Sequence, residues 1–323
     1  MMSMLDIRHI CRPRPVGSRV HDEVRDFLLH TIQQMDLQPY DGQKFLWSYH
    51  SEGKETLANL VAVLPGADPA LSPILLGAHY DTVPGTPGAD DNAAAIWVVL
   101  DAVAGMKPGM LRRSVIVALF DAEEPGYFLG PLMGSTVFYQ SQMKGQVHCA
   151  FIFDLVGHDV PVQGIEDMVF ITGMESHRSL ENVLNKTLPD PGIRIVTALN
   201  RYVGDMSDHH VFRVNGEPYL FFSCGHWQHY HMPTDTPEKL NITKMGVLSA
   251  YVRKLLIACD NAEFPRDKSN SHKGEPVYDT TATDLKFMNA NLGPVLKRIG
   301  ASPLKSRSDI DRAVQAMIRS FGL

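Results

Sequence analysis

The sequence has little cysteine, no long apolar run and no excess of basic residues. Its four cysteines form no Cys-x-x-Cys pair, and they are too few for a disulfide framework in a chain of 323 residues. No apolar run reaches about 18 residues, which excludes a transmembrane helix, and the polar start of the chain lacks the apolar stretch of a signal peptide. The formal net charge of −6 argues against a nucleic-acid-binding protein. We therefore expect a cytoplasmic protein with no nucleic-acid or membrane partner.

The composition is that of a globular protein, with 44% hydrophobic and 20% charged residues. Short apolar runs bounded by Pro and Gly predict strands at 60–64, 74–78, 115–120, 150–153 and 219–222. Helical spacing predicts helices at 20–37, 93–103, 132–143, 176–188 and 242–259. This alternation predicts an α/β fold, namely a three-layer α/β/α sandwich with a largely parallel, mixed central sheet.

The composition changes near the C-terminus. Residues 265–323 hold ten Lys and Arg but six Asp and Glu, and a polar stretch at 267–280 is typical of a linker. Two helices are predicted after it, at 284–298 and 309–321. We expect a main domain over 1–264 and a linker with a small helical appendage over 265–323. The appendage either docks on the acidic body, covers the functional site or forms an oligomer contact.

Polar side chains follow the predicted strands at the edge where open α/β sheets carry their sites. They are His79 and Asp81 after one strand, Asp121 to Glu124 after the next, Asp154 after a third, and the segment 226–231, His-Trp-Gln-His-Tyr-His, after a fourth. Gly-Ala-Asp-Asp-Asn at 88–92 precedes an apolar helix. Each piece alone also fits a helix cap, a solvated turn or a surface loop. Their combination and order favour a functional site.

Histidine and carboxylate side chains together suit Zn²⁺ or a similar divalent ion. Two histidines and three carboxylates can hold two ions if one carboxylate bridges them, and such a pair can clamp a water and a carbonyl or phosphoryl oxygen. A site of this kind also needs a base that is not a ligand. The doublet Glu123-Glu124 offers one residue for each task.

At this point the sequence resembles metallopeptidase family 28, the co-catalytic zinc aminopeptidases. The resemblance covers roughly residues 5–262 and rests on motifs that occur in the family's order: Arg-Pro-Val-Gly-Ser at 14–18, Gly-Ala-His-Tyr-Asp at 77–81, Pro-Gly-Ala-Asp-Asp-Asn-Ala at 87–93, Phe-Asp-Ala-Glu-Glu at 120–124 with Gly-Ser at 134–135, Asp-Leu-Val-Gly at 154–157, Ser-Asp-His at 207–209, and Tyr-His-Met-Pro-Thr-Asp-Thr at 230–236.

The resemblance implies a metal-ligand set. His79 and Asp154 would hold one zinc ion, Glu124 and His231 would hold the other, and Asp91 would bridge both. In the family, the peptide bond after the bridging aspartate is cis. Asp90 is expected to be a neighbour of the bridge and not a ligand.

The resemblance also implies catalytic roles. Glu123 would be the general base, taking a proton from a water that bridges the two metals and passing it to the leaving amine. Asp81 would orient His79 from behind. Tyr230, which precedes the ligand His231, could help to stabilise the oxyanion.

Other residues of these motifs receive lesser roles. His226 and His229 are expected to pack or to support the ligands, and His209 and His210 to start a helix or line the cleft. Tyr127, Phe128 and Trp227 are candidates for an apolar specificity pocket, although core packing explains them equally well. Some relatives carry an Arg where this chain has Met206, which leaves open how the substrate backbone is held.

The leading hypothesis is thus a zinc-dependent exopeptidase, most simply an aminopeptidase acting on peptides, with two zinc ions per chain. The alternatives are a glutaminyl cyclase-like acyltransferase with one zinc and a carboxypeptidase of the same family. A dipeptidase or deacylase with a lid domain would need an insertion that the 154–231 interval has no room for, and a non-catalytic module would usually have lost ligands. The side-chain preference, the native metal and a homo-oligomer are left open.

Overall fold

The chain forms one mixed sheet in the computed structural model, which describes residues 6–50, 56–265 and 278–321. Within these residues the sheet has nine strands: β1 (Gln38–Pro39), β2 (Leu46–His50), β3 (Thr56–Leu64), β4 (Ile74–His79), β5 (Val115–Phe120), β6 (Cys149–Phe153), β7 (Met168–Thr172), β8 (Arg194–Thr197) and β9 (Tyr219–Ser223). Their order is β1-β3-β5-β4-β6-β9-β7-β8, and β2 also pairs with β3.

The centre of the sheet is parallel. Strands β5, β4, β6 and β9 pair in parallel, with Ile74 of β4 opposite Val115 of β5 and Cys149 of β6. Strands β1, β2 and β5 pair antiparallel with β3, and β7 pairs antiparallel with β9 and parallel with β8. The central strands are fully buried and read as continuous apolar runs because helices cover both of their faces.

Helices flank the sheet on both sides. They are α1 (Arg19–Gln33), α2 (Ala95–Ala104), α3 (Gly134–Val137), α4 (Arg178–Lys186), α5 (His209–Val214), α6 (Ile242–Asp260), α7 (Thr281–Asn291), α8 (Gly293–Arg298) and α9 (Arg307–Phe321). Side chains along a strand alternate between two apolar cores: Leu60 belongs to the core that contains α1, α2 and α6, and Val61 to the core that contains α5. The three-layer α/β/α sandwich is thereby confirmed.

Several element boundaries differ from prediction. The helix predicted at 93–103 begins at Ala95, because the preceding turn, Ala89–Ala94, has non-helical backbone at Asp91 and Asn92. The helix predicted at 132–143 is two short pieces, α3 and a wide turn over Phe138–Gln142. Strands β1, β2, β7 and β8 were not predicted, and of α5 only a helix start at His209 or His210 was expected. These are short elements, of two to six residues, whose pattern carries too little periodicity to identify them.

Helix α7 packs against β8, at one edge of the sheet, and α8 and α9 contact α7. Asp284 of α7 accepts hydrogen bonds from Thr197 of β8 (2.6 Å), from Thr280 (2.8 Å) and from Arg307 of α9 (2.7 Å). Leu292 and Ile310 join the core shared with α1, α2 and α6. Three helices occur here where two were predicted, since the chain turns between Asn291 and Gly293. Most of the predicted linker lies outside the described residues, and the boundary after residue 264 stays a prediction.

The described part of the chain was also searched for membrane spans. None of its helices combines the length and the hydropathy that crossing a bilayer requires.

Candidate metal centre

The candidate site lies at the carboxyl ends of the three central parallel strands. Strand β4 ends at His79, β5 ends at Phe120 just before Asp121 to Glu124, and β6 ends at Phe153 just before Asp154. Because these strands are parallel neighbours, their ends meet at one edge of the sheet. The fold therefore brings together side chains that are up to 75 positions apart in sequence.

One group of donors comprises His79, Asp91 and Asp154. The Nε2 atom of His79 lies 3.3 Å from Oδ1 of Asp91 and 3.7 Å from Oδ2 of Asp154. One ligand atom from each of the three residues lies within 4.8 Å of the others, and all three side chains are buried. This spacing suits a single divalent ion held among them.

A second group comprises Asp91, Glu124 and His231. The Nε2 atom of His231 lies 3.2 Å from Oδ2 of Asp91 and 3.1 Å from Oε2 of Glu124. The ligand atoms of this group also lie within 4.8 Å of one another. Asp91 is common to both groups and offers a different oxygen to each histidine, which is the geometry of a bridging carboxylate.

The donor atoms fit a metal because their hydrogen-bonding capacity is unused. The Nε2 atom of His79, Oδ2 of Asp91 and Oδ1 of Asp154 are buried and have no hydrogen-bond partner within the described residues. Leaving such polar atoms buried and unsatisfied costs about 1 to 3 kcal/mol each, and native proteins rarely do so. Divalent ions such as Zn²⁺ would satisfy these nitrogen and carboxylate donors together.

Asp81 connects the two glutamates to the histidine. Its Oδ1 accepts the backbone N–H of Glu123 at 3.0 Å, and its Oδ2 accepts that of Glu124 at 3.1 Å. The same Oδ1 lies 3.3 Å from Nδ1 of His79. This one carboxylate therefore fixes the glutamate turn against the strand end that carries His79.

Glu123 lies beside both groups and belongs to neither. Its Oε2 is 3.8 Å from Nε2 of His79, and its side chain is only 7% exposed. Burial, opposed by the charge of His79, raises the pKa of Glu123 well above its usual range, with Asp154, Asp208 and Glu124 acting in the same direction. A carboxylate with a raised pKa next to the donor groups suits a residue that takes up and returns a proton.

The side chains of the two donor groups shift one another's pKa values in opposite directions. Burial opposes a positive charge on His231, but Asp91 and Glu124 raise its pKa to about 10. Burial raises the pKa of Glu124 to about 7, with the charge of Asp91 adding to the effect. Burial also opposes ionisation of Asp91, but contacts with His231 and His79 keep its pKa below its usual range. A bound cation would replace these protons.

The backbone around the site adopts rare conformations. Ala122, Leu155 and His231 have positive φ angles of 55°, 55° and 57°. Each is a candidate donor, or adjoins a candidate donor or the candidate base, and such conformations persist in non-glycine residues only where the surroundings enforce them. The Asp91–Asn92 peptide bond is cis, as the resemblance implied.

Aromatic rings surround the second donor group. The ring of Tyr230 stacks on His231 at 3.8 Å between centroids and on His226 at 4.2 Å. Burial and the nearby carboxylates raise the pKa of Tyr230, so its hydroxyl stays protonated and able to donate. Trp227 stacks on His158 at 4.4 Å and is half-buried, whereas Phe128 is 36% exposed beside Glu124. Of the candidate pocket residues, Phe128 is the one most open to solvent.

The remaining motif residues support the site from behind. Asp90 accepts hydrogen bonds from the Gly157 amide at 2.7 Å and pairs with Nδ1 of His158 at 2.6 Å, so it is not a member of either donor group. His209 begins α5 and stacks on Phe221, and His210 pairs with Asp205.

Two supporting contacts and one buried carboxylate were not foreseen from the sequence. Asp235 accepts the backbone N–H groups of Asp90 and Asp91, at 2.9 and 3.1 Å. His21 of α1 pairs with Asp121 at 2.7 Å, with both side chains buried. Asp208 is fully buried, and burial raises its pKa to about 7. The residues of each contact are far apart in sequence. The signal in the sequence was one acidic residue in each of three motifs, Asp121, Asp208 and Asp235, and an isolated acidic residue is a weak signal.

A three-layer sandwich with paired donor groups at its strand ends defines a metallohydrolase-type site. The model of peptidase family M28 matches residues 59–256 of this chain. That interval is more than half of the 323 residues. The chain belongs to peptidase family M28, and the resemblance seen in the sequence is confirmed.

Curated relatives include large membrane proteases. The chain is 33% identical to the vacuolar membrane protease of Candida albicans (strain WO-1) over 132 residues, which are 39% of this chain and 15% of that protein. It is 26% identical to the vacuolar membrane protease of Lachancea thermotolerans over 235 residues, or 66% of this chain and 23% of that protein. The chain thus spans less than a quarter of the length of these relatives.

Solved structures share the fold at low sequence identity. The LapA aminopeptidase of Legionella pneumophila has a TM-score of 0.62 and 20% identity, covering 79% of this chain and 69% of that one. The glutaminyl cyclase of Tannerella forsythia has a TM-score of 0.59 and 13% identity, covering 77% and 94%. A Zn-dependent exopeptidase of Parabacteroides distasonis has a TM-score of 0.59 and 15% identity, covering 77% and 94%. At these identities the likeness shows the fold alone.

Proposed function

We propose that this chain is a zinc-dependent exopeptidase that acts as an aminopeptidase with two zinc ions. His79 and Asp154 would hold one ion, Glu124 and His231 the other, and Asp91 would bridge them. The observation that carries the proposal is that two three-residue donor groups share Asp91, while the buried carboxylate of Glu123 adjoins them without joining either. This arrangement matches what hydrolysis of a peptide bond requires.

When bound, the two ions would supply Lewis acidity for the scissile carbonyl and would lower the pKa of the attacking water. Glu123 takes the proton of that water as general base and returns it to the leaving amine as general acid. Its raised pKa favours the second half of this cycle, because burial stabilises the protonated carboxyl group that must hold the proton until the amine leaves. The Tyr230 hydroxyl donates to the oxyanion that develops on the carbonyl.

Preference for a free amino terminus follows from the charge of the site. The groups that act most strongly on Glu123, apart from His79, are the acids Asp154, Asp208 and Glu124. Asp208 and Glu123 are acids of this site that the proposal does not assign to zinc, and in their ionised form they attract an α-ammonium group and repel an α-carboxylate. The names of two structural neighbours, an aminopeptidase and a Zn-dependent exopeptidase, support the same proposal.

A glutaminyl cyclase-like activity with one zinc is the second candidate, because a glutaminyl cyclase is among the structural neighbours. That chemistry needs one donor group. Here each group has a histidine and two carboxylates, and the donor atoms His79 Nε2 and Asp154 Oδ1 are buried with no hydrogen-bond partner in the part of the chain that the structure describes. The complete first group favours two ions and hydrolysis.

The test is a matched panel of peptides. Each short peptide is supplied with a free amino terminus, with an acetylated amino terminus, with an amidated carboxyl terminus and with N-terminal glutamine, and products are followed by mass spectrometry with and without a chelator. An aminopeptidase removes N-terminal residues from the free and amidated forms, ignores the acetylated form and stops after chelation. Cleavage that depends on a free carboxyl terminus would establish a carboxypeptidase, and cyclisation of N-terminal glutamine would establish the cyclase.

A further inference from the structure

Arg14 is a buried arginine that uses its guanidinium on backbone carbonyls. Its side chain has no exposed surface. Nε donates to the carbonyl of Tyr80 at 2.5 Å, Nη1 to those of Ile10 (2.7 Å) and Pro87 (2.8 Å), and Nη2 to that of Gly88 (3.0 Å). Burying a charge without a directly paired carboxylate costs free energy, and the four carbonyls offset part of that cost. A fully buried guanidinium of this kind therefore suggests a structural role for the bonds that it makes.

Three of these four carbonyls, those of Tyr80, Pro87 and Gly88, belong to the two segments that carry donor residues, and the fourth, that of Ile10, belongs to the same N-terminal stretch as Arg14. Tyr80 is the residue between His79 and Asp81, just after the end of β4, and its carbonyl accepts from Nε of Arg14. Pro87 and Gly88 are the turn that leads into Asp91. Arg14 thus joins the segment of His79 to the segment of the bridging carboxylate.

The backbone that Arg14 contacts in these two segments has little freedom to adjust. Gly88 has a φ of 63°, and a Cβ at this position would collide with the side chain of Thr82 and with the backbone oxygen of Asp91. The backbone N–H of Arg14 donates to Oγ1 of Thr82 at 2.9 Å. This hydrogen bond adds a second contact between Arg14 and the segment that follows His79. Only a planar group with several fixed donors can reach all of these carbonyls at once, and a lysine ammonium cannot.

The charge of Arg14 also faces the acids of the centre. Burial lowers the pKa of Arg14, and Cys11, Asp81, Asp91 and Asp235 oppose this effect, while the guanidinium remains charged at any ordinary pH. Its positive charge lies behind the donor groups and favours ionised Asp81 and Asp91 before any metal arrives.

We propose that Arg14 is a positioning residue of the metal centre: it fixes the separation of His79 and Asp91, and thereby sets the affinity of the first donor group for zinc. The proposal rests on the proposed two-zinc centre. It also gives a role to residues that precede the family match, which begins at residue 59.

The test compares Arg14→Lys with Arg113→Lys. Arg113 is also buried, and it donates to the Ser72 carbonyl at 3.2 Å, but it lies just before β5, at the opposite end of the central strands. Zinc affinity is measured by competition with a chromogenic chelator, and unfolding temperature by calorimetry of the metal-free proteins. Both variants keep the positive charge of the side chain, but they replace the planar guanidinium and its several fixed donors with an ammonium group.

We expect Arg14→Lys to weaken one of two zinc-binding steps at least tenfold and to leave the other step within threefold. Arg113→Lys should leave both steps unchanged at a similar loss of unfolding temperature. Wild-type zinc affinity in a folded Arg14→Lys protein, or an equal loss in Arg113→Lys, would overturn the role of Arg14.

A milder variant covers the case in which Arg14→Lys does not fold. Thr82→Val removes the acceptor of the Arg14 amide while keeping the side-chain shape, and it should weaken the same zinc step by about threefold. An unchanged zinc step in folded Thr82→Val would then overturn the role. Wild-type protein that binds fewer than two zinc ions would instead refute the proposed metal centre.

Discussion

Replacing Asp81 with asparagine perturbs the support of the metal centre without removing a donor. The wild-type carboxylate accepts the amides of Glu123 at 3.0 Å and Glu124 at 3.1 Å, and it lies 3.3 Å from Nδ1 of His79. Asparagine keeps one acceptor oxygen, but its NH₂ group then faces a backbone N–H, that of Glu123 or Glu124, which is also a donor. One buried amide loses its partner, and His79 loses the negative charge that orients its ring.

The magnitude follows from these contacts. A hydrogen bond to a charged group contributes about 1.5 to 3 kcal/mol, and loss of a partner that orients a ligand histidine typically lowers metal affinity 10- to 100-fold. That range corresponds to about 1.4 to 2.7 kcal/mol of zinc binding. Folding of the metal-free protein loses less, because removing one charge relieves repulsion among the buried carboxylates around Asp81.

Asp260 provides a matched control at the other end of the sheet. It is buried and accepts two consecutive amides, those of Arg112 at 3.0 Å and Arg113 at 2.8 Å, but it touches none of the donor residues. Zinc affinity by chelator competition should fall 10- to 100-fold in Asp81→Asn and stay unchanged in Asp260→Asn. Full zinc affinity in Asp81→Asn, or the same loss in both variants, would show that Asp81 does not support the metal centre.

Three further predictions concern the donor groups and the stability of the fold. Tyr230→Phe should lower kcat about 100-fold with KM and zinc content nearly unchanged, and steady-state kinetics with an unaltered kcat would count against an oxyanion role. Zinc binding at pH 7 should release protons, because His231, with a pKa of about 10, and Glu124, with a pKa of about 7, must give theirs up; calorimetric heats that do not depend on the ionisation enthalpy of the buffer would contradict this. Burial, with Arg113 nearby, lowers the pKa of His148 to about 4. Between about pH 6.5 and pH 4, His148 therefore binds a proton in the unfolded chain but not in the folded chain. Stability should therefore fall by about 1 to 2 kcal/mol between pH 7 and pH 5, and His148→Gln should remove that part of the fall in urea unfolding. An identical pH dependence in the variant would exclude His148 as the cause.

The central strands and the donor positions could be predicted from the sequence because their signals are local. Buried parallel strands such as β4 are short apolar runs with sharp ends, and the residues that follow them must lie at one edge of the sheet. His79, Glu123 and Asp154 were placed together for this reason. The shared position of Asp91 came from the family resemblance and not from periodicity.

The turn that carries Asp91 could not be predicted from local pattern. The apolar run after it is helical in period, but α2 begins only at Ala95. Asn92 leaves helical geometry and donates its side-chain amide to the Phe153 carbonyl at 2.9 Å. Tertiary contacts of this kind override helix propensity, and the sequence near residue 91 carries no sign of them.

Long-range support was also invisible in the sequence. Arg14 and Tyr80 are 66 positions apart, and His21 and Asp121 are 100 positions apart. Buried polar pairs at such separations have no periodic signature, because either partner alone resembles an ordinary surface residue. They emerge only once the fold brings the two segments into contact.

The most direct test of the account is the zinc content and activity of wild type, Glu123→Gln and Glu175→Gln. Glu175 is the matched control, since burial raises its pKa to about 7 as well, and its Oε1 accepts the amide of Asn200 at 2.6 Å, away from the donor groups. We expect two zinc ions per chain in all three proteins, with peptide hydrolysis reduced by about 10² to 10⁴ in Glu123→Gln alone. Fewer than two ions in the wild type, or full activity in Glu123→Gln, would contradict this expectation.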